Sequence, residues 1–208
     1  MARHNVVRKI KNRTTIILVM LLISIMVSWV IWGNLSVETT KLTVTSKDLP
    51  EAFDKFSIAH ISDLHNAEYG KNNEKLIDIL EAESPNIIAI TGDLIDSNHT
   101  NLEVALSFAQ QAVKIAPCYF VTGNHEAWIG SQYEELKTSL QNTGITVLQD
   151  EAIELNYGDV CIQLIGLNDP DFSERDRLLS ESILEAKLSQ VDISDGFIIE
   201  TNYTFTCF

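Results

Sequence analysis

The 208-residue chain has few of the features that mark redox, disulfide-stapled or nucleotide-cradling proteins. Its three cysteines, Cys118, Cys161 and Cys207, show no CxxC or other ligand spacing, so no disulfide framework or cysteine metal site is expected. Cys118 and Cys161 fall in apolar, strand-like runs, where a small buried thiol is the expected state. Neither G-x-x-x-x-G-K-[ST] nor G-x-G-x-x-G occurs, which excludes a P-loop or dinucleotide-binding domain. Positive charge is scarce over most of the length. Five of the 15 Lys and Arg residues precede position 34, where there is no acid, leaving ten against all 29 Asp and Glu. A surface that acidic repels phosphate backbones and excludes nucleic-acid binding by a basic patch. Internal repeats are absent.

What the chain does have begins with an apolar run. Residues 14–32, "TTIILVMLLISIMVSWVIW", carry no charge over 19 positions, about the length a helix needs to cross a bilayer. Trp29 and Trp32 sit at one end, where indole rings favour the membrane interface, and Arg3, Arg8, Lys9, Lys11 and Arg13 precede the run. The positive-inside tendency then leaves the N-terminus cytoplasmic and the bulk of the chain outside. A cleaved signal peptide is the rival, but its apolar region is usually shorter and no small-x-small site follows Trp32. The expected organisation is a basic cytoplasmic arm at 1–13, a transmembrane signal anchor at 14–33 and a connector at 34–53 with a β-prone piece, "KLTVTS". The expectation is a single-pass cell-membrane protein with an extracytoplasmic domain.

From there short apolar runs alternate with amphipathic ones. "FSIAHIS", "NIIAIT" and "CYFVT" read as buried strands, separated by "NNEKLIDILEAE" and "NLEVALSFAQQAVKIA" with helical spacing. "SQYEELKTSLQNTG" is a further helix that Gly144 is placed to end. The alternation predicts a βαβαβ parallel sheet covered on both faces, an α/β fold. "ITVLQD", "AIELNYG" and "VCIQLIGLND" read as strands of a second sheet packed on the first, and "SERDRLLSESILEAKLSQ" as a last helix.

Each of the first three strands ends in polar residues: Asp63-Leu64-His65, Gly92-Asp93-Leu94-Ile95-Asp96, and Gly123-Asn124-His125-Glu126. Any one block alone is ordinary turn chemistry. Together, at the carboxyl ends of adjacent strands, they fall where open α/β sheets form ligand sites. Carboxylate, imidazole and amide oxygen suit divalent ions of the Mn, Fe or Zn class. One carboxylate can bridge two ions about 3.5–4 Å apart, a pair able to clamp both oxygens of a phosphoryl displacement.

These three blocks, in this order and spacing, resemble the signature of the calcineurin-like metallophosphoesterases, over roughly residues 54–197. The resemblance implies a four-layer α/β/β/α sandwich and hydrolysis of a phosphoester substrate at a site with two divalent metal ions. It implies that Asp63 and His65 bind the first ion, Asp93 bridges both, Asn124 binds the second, and His125 is the catalytic residue that contacts the substrate and helps the leaving group. Asp96 and Glu126 would at most orient those ligands. With its apolar leader, the chain is similar to the bacterial membrane-anchored branch. The family's C-terminal histidines have no counterpart: the five histidines are His4, His60, His65, His99 and His125. His60 is expected as a satisfied core residue and His99 as an exposed loop residue. The expectation is an incomplete domain at 54–197 and an atypical tail at 198–208 with no sheet partner, so that the alternative to an active enzyme is an impaired, membrane-tethered metal-binding or interaction protein.

Overall fold

The computed structural model describes residues 2–173, 183–191, 198–201 and 206–207. It divides into two compact units, Met1–Thr39 and Thr40–Phe208. The first is one helix, α1 (Ala2–Leu35). With no proline, and no glycine before Gly33, nothing interrupts it, so the basic stretch continues the helix of the apolar run. Its window Arg13–Val30 is long and apolar enough to cross a membrane and has no buried residue; a signal sequence meets the same measure.

The second unit is built on a parallel sheet ordered β1 (Ile58–Ile61), β2 (Ile87–Thr91), β3 (Cys118–Val121) and β4 (Thr146–Val147). The crossovers carry α2 (Glu74–Glu83), α3 (Leu102–Ala112), and the pair α4 (Asn124–Trp128) and α5 (Gln132–Thr143). Sequential parallel strands with right-handed connections put these helices on one face. They bury Leu76, Ile77 and Leu80 of α2, Ala105, Phe108 and Ala109 of α3, and Leu136 and Leu140 of α5. Every residue of β2 is buried, as a strand covered on both faces requires. Each isoleucine so buried contributes about 1.5–3 kcal/mol. Gly144 ends α5 at φ +102°, a left-handed cap that suits glycine.

"ITVLQD", expected in the second sheet, instead supplies β4 to the first. The α5 crossover returns the chain parallel to β3, with Phe120 opposite Val147. The second sheet runs β5 (Glu151–Tyr157), β6 (Val160–Gly166), β7 (Ile198–Thr201) and β8 (Thr206–Cys207). The tail thus has a sheet partner after all: β7 lies parallel to β6, and β8 antiparallel to β7. Alternation along β5 and β6 sends Leu155, Ile162 and Leu164 inward, where they pack with Phe53, Ile87, Val121 and Leu148 between the sheets. The other face packs Ile165 and Ala152 against Leu188 and Val191. Leu188 belongs to α6 (Ile183–Leu188), the described part of the last predicted helix; residues 174–182 lie outside the described residues. The layers are therefore helices, parallel sheet, mixed sheet and α6.

Three further expectations need correction. "KLTVTS" forms no strand, and Leu42 and Val44 are exposed; β-propensity without a neighbouring strand to pair does not make a ladder. Cys161 is exposed, because alternation turns it away from buried Ile162, whereas Cys118 is buried, and burial pushes its thiol up to about 12. His60 is satisfied, sharing a 2.6 Å hydrogen bond with the Thr91 hydroxyl, but exposed. It stands on the edge strand β1 of this sheet, so only one neighbouring strand flanks it.

Candidate metal centre

The loops leaving β1 and β2 run side by side. Asp63 N–H donates to Gly92 O at 3.3 Å, His65 N–H to Asp93 O at 2.8 Å and Asn66 N–H to Leu94 O at 3.2 Å. The β1–β2 pairing thus continues past the strands. The cost is backbone strain: Asp63, His65, Asn66 and Asp93 stand at φ +56°, +46°, +59° and +50°, a left-handed region that non-glycine residues enter at roughly 1–2 kcal/mol each. Such strain persists where the surroundings over-determine it, and it concentrates at functional sites. Gly92, at φ +85°, lies against the Gly123 backbone, and a Cβ on Gly123 would collide with the Asp93 carboxylate. The two glycines allow the β2 and β3 exits to touch.

His65, Asp93 and His125 converge, one from each strand end. One ligand atom of each lies within 4.8 Å of the others. His65 Nε2 is 3.7 Å from Asp93 Oδ2 and 3.7 Å from Asp63 Oδ1. The His65 and His125 rings meet edge to face, 4.4 Å between centroids. Asp63 stands on the solvent side with its side chain 66% exposed, against 12% for Asp93. Asn124 opens α4, partly buried, next to His125. So the structure gathers His65, Asp93 and His125 in one cluster, with Asp63 beside His65. The mostly buried Asp93 carboxylate and the partly exposed His65 imidazole fit a divalent ion, whose charge would relieve the carboxylate's desolvation.

His125 is held from behind. Ser97 N–H donates to its Nδ1 at 3.0 Å, which leaves the proton of the neutral imidazole on Nε2. Asp96 Oδ1 is 3.6 Å from the same Nδ1. A hydrogen bond from the Asn98 backbone N–H, with smaller help from His125 and His99, holds the Asp96 carboxyl below the usual range. His99 is exposed, as a loop histidine was expected to be, and lies 3.7 Å from Asp96.

The motif's last residue, Glu126, has a larger role than its sequence position indicates. Its side chain is wholly buried. Oε2 accepts from the N–H groups of Asp93 and Gly123, both at 2.8 Å, and Oε1 from Leu94 at 2.9 Å and Ile95 at 3.3 Å. The Gly123 contact is the return half of a capping box, Glu at the third helical position bonding the N-cap N–H. The other contacts staple the β2 exit to α4. Burial pushes the carboxyl up to about 7 against the pull of those donors. Asp93 is then fixed from two sides, since His125 N–H donates to its Oδ1 at 2.9 Å.

Two features escaped sequence reasoning. Asn66 clips the β1 loop to the β2–α3 loop: its Oδ1 accepts from Asp96 N–H at 2.9 Å and Asn101 N–H at 3.1 Å, and its Nδ2 donates to Asn101 O at 2.7 Å. The one signal was its type, since asparagine tolerates the left-handed region. The other feature is the loop after β6. The Thr122 hydroxyl donates to Asn168 Oδ1 at 3.0 Å and accepts from Asp169 N–H at 3.2 Å, while the Trp128 indole N–H donates to Asp171 Oδ2 at 2.6 Å. Buried Lys187 of α6 reaches Asp150 at 2.8 Å and Asn168 O at 3.1 Å. The second sheet is thereby tied to the β3 exit. Burial raises the Asp169 carboxyl above its ordinary range.

The chain is similar to known proteins. The profile of a family described as calcineurin-like phosphoesterase matches residues 56–197. An uncharacterized metallophosphoesterase of Bacillus subtilis, YkoQ, is 28% identical over 137 residues, 64% of this chain and 50% of its own length. One from Aquifex aeolicus is 29% identical over 136 residues, 63% of this chain and 49% of its own. The chain thus spans about half the length of these relatives. The crystal structure of the phosphopantetheinyl hydrolase PptH from Mycobacterium tuberculosis superposes with a TM-score of 0.49 at 16% identity, covering 70% of this chain and 67% of that one. With the family profile covering most of its length, and three strand-end motifs meeting in one cluster, the chain belongs to the calcineurin-like phosphoesterase family.

Proposed function

We propose that the second unit hydrolyses phosphate mono- or diesters outside the cytoplasmic membrane, tethered by α1 with its N-terminus in the cytoplasm. The observation that carries the reading is the convergence of His65, Asp93 and His125 at the carboxyl ends of three parallel strands. The basic flank and apolar run of α1 support the anchor and its orientation. Asp63, His65, Asp93 and Asn124 would hold two divalent ions of the Mn, Fe or Zn class. When bound, such ions polarise the phosphoryl oxygens and supply a nucleophilic water at neutral pH.

The chain's own residues do the rest. Asp93, fixed by His125 N–H and by the Glu126 staple, keeps one carboxylate between the two halves of the site. His125, accepting Ser97 N–H at Nδ1, presents Nε2–H as a donor to charge developing on the leaving oxygen. In this tautomer it stabilises the oxyanion by a hydrogen bond, and the proton itself comes from solvent. A protonated ring would have to break the Ser97 bond and turn to Asp96.

A second reading is a tethered metal-binding or interaction protein with little turnover. The two separate on Mn-dependent hydrolysis of bis(p-nitrophenyl) phosphate. The enzyme reading expects a rate that falls at least about 100-fold in His125→Ala and further in Asp93→Ala. Equal, negligible rates in all three proteins would refute it.

A further inference from the structure

Trp128 is an exposed aromatic side chain standing against the site. Its surface is 57% open, and its ring lies 4.9 Å from that of His125, tilted by 40°. Among the described residues of the second unit, the other exposed large apolar side chains are Leu42, Val44 and Tyr157. The first two belong to the segment before β1, and Tyr157 packs on Phe53 and Phe56. Only Trp128 touches a motif residue. A large ring left in water beside a polar cluster gains by being covered, at about 25 cal/mol per Å² of apolar surface. The described residues leave it open.

The ring is also held in place. Asp171 Oδ2 takes the indole N–H at 2.6 Å, and Asp171 sits in the turn Pro170–Phe172, whose Phe172 ring meets Tyr133 edge to face at 4.8 Å. One edge of the indole is therefore fixed while its exposed surface faces outward. A pre-positioned aromatic surface binds with little loss of side-chain entropy. Its hydrogen-bond partner Asp171 is an acid, and so are Asp96 and Asp93 beside its ring neighbour His125, which disfavours a second anion on the ligand.

We propose that Trp128 is a specificity-determining residue: a stacking platform for a neutral, planar group on the alcohol half of the phosphoester. This rests on the phosphoesterase reading and adds the substrate class to it. His125 meets the leaving oxygen, so the ring neighbouring His125 meets what that oxygen carries. A flat π-bearing group, such as a nucleobase or an aryl ring, offers the face that stacks on indole.

The test uses the full chain in detergent with Trp29→Phe and Trp32→Phe, so that Trp128 is the sole indole of the original three. In manganese chloride, three phosphate monoesters are titrated by calorimetry and by indole fluorescence: adenosine monophosphate, ribose phosphate and octyl phosphate. The proposal expects adenosine monophosphate to bind at least about 5-fold tighter than ribose phosphate and to quench the indole. In Trp128→Leu the ratio of the two calorimetric affinities falls toward one, and Trp128→Phe retains part of it. Equal affinities for the two esters in the parent protein would overturn the platform while leaving the phosphoester site standing. Tighter binding of octyl phosphate than of adenosine monophosphate would also overturn it, assigning the ring to an apolar chain. Failure to bind any of the three would overturn the platform, and with no hydrolysis of bis(p-nitrophenyl) phosphate it would remove the phosphoester reading as well.

Discussion

Asp93 and Asp63 are both strand-end aspartates at positive φ, yet the molecule treats them differently. Asp93 is nearly buried, accepts His125 N–H, and has its own backbone N–H fixed by Glu126. Asp63 is two-thirds exposed, with a neighbouring hydroxyl from Ser62 and His65 at 3.7 Å. The difference shows which half of the site the chain builds by itself. The β2–β3 half is organised by backbone hydrogen bonds in a dry environment, where each is worth more than in water. The β1 half holds its ligands at the rim, where a bound cation would contribute most to their order.

That contrast can be broken most forcefully at Glu126. Glu126→Ala strands four buried N–H groups and opens a cavity, so we expect a loss of more than about 4 kcal/mol in urea unfolding. Gly123→Ala comes next, driving a methyl into the Asp93 carboxylate. It should lose about 1–3 kcal/mol and, unlike an ordinary surface change, lose Mn-dependent hydrolysis as well. Asn66→Ala releases the clip between the β1 loop and residues 96–101. About 1–2 kcal/mol is expected, with amide exchange at Asp96 and Asn101 speeding up before that of the β2 strand. Asp63→Asn should be the mildest for the fold, within about 0.5 kcal/mol, while weakening manganese binding about 10–100-fold. A large stability loss there would mean that the β1 half is as self-supporting as its partner.

The first three strands of the first sheet were legible because they are continuous apolar runs, and its helices because they carry apolar stripes. Ile87–Thr91 and Leu102–Ala112 leave little ambiguity of period. The three site blocks were legible because polar residues at the ends of such runs have no packing reason to be there. What escaped depends on distance along the chain. Glu126 bonds residues 31–33 positions away, and Thr122 bonds Asn168 across 46; no local pattern announces such partners. The assignment of "ITVLQD" to the wrong sheet has the same origin, since a two-residue strand carries no signal of its neighbour. Cys161 was misjudged because an apolar run in an antiparallel strand still turns alternate residues outward. The short helix α4 was hidden under its own motif, where Asn124 and His125 read as ligands rather than as a first helical turn.

The central claim is that Asp93, held between the two halves, organises the centre for divalent ions. Titrating the full chain with Mn(II), and following the free-ion signal by electron paramagnetic resonance, tests it directly against Asp93→Asn. We expect saturable binding in the parent protein and at least about 100-fold weaker binding in Asp93→Asn, with circular dichroism unchanged between the two. Equal Mn(II) binding by both proteins would contradict the account.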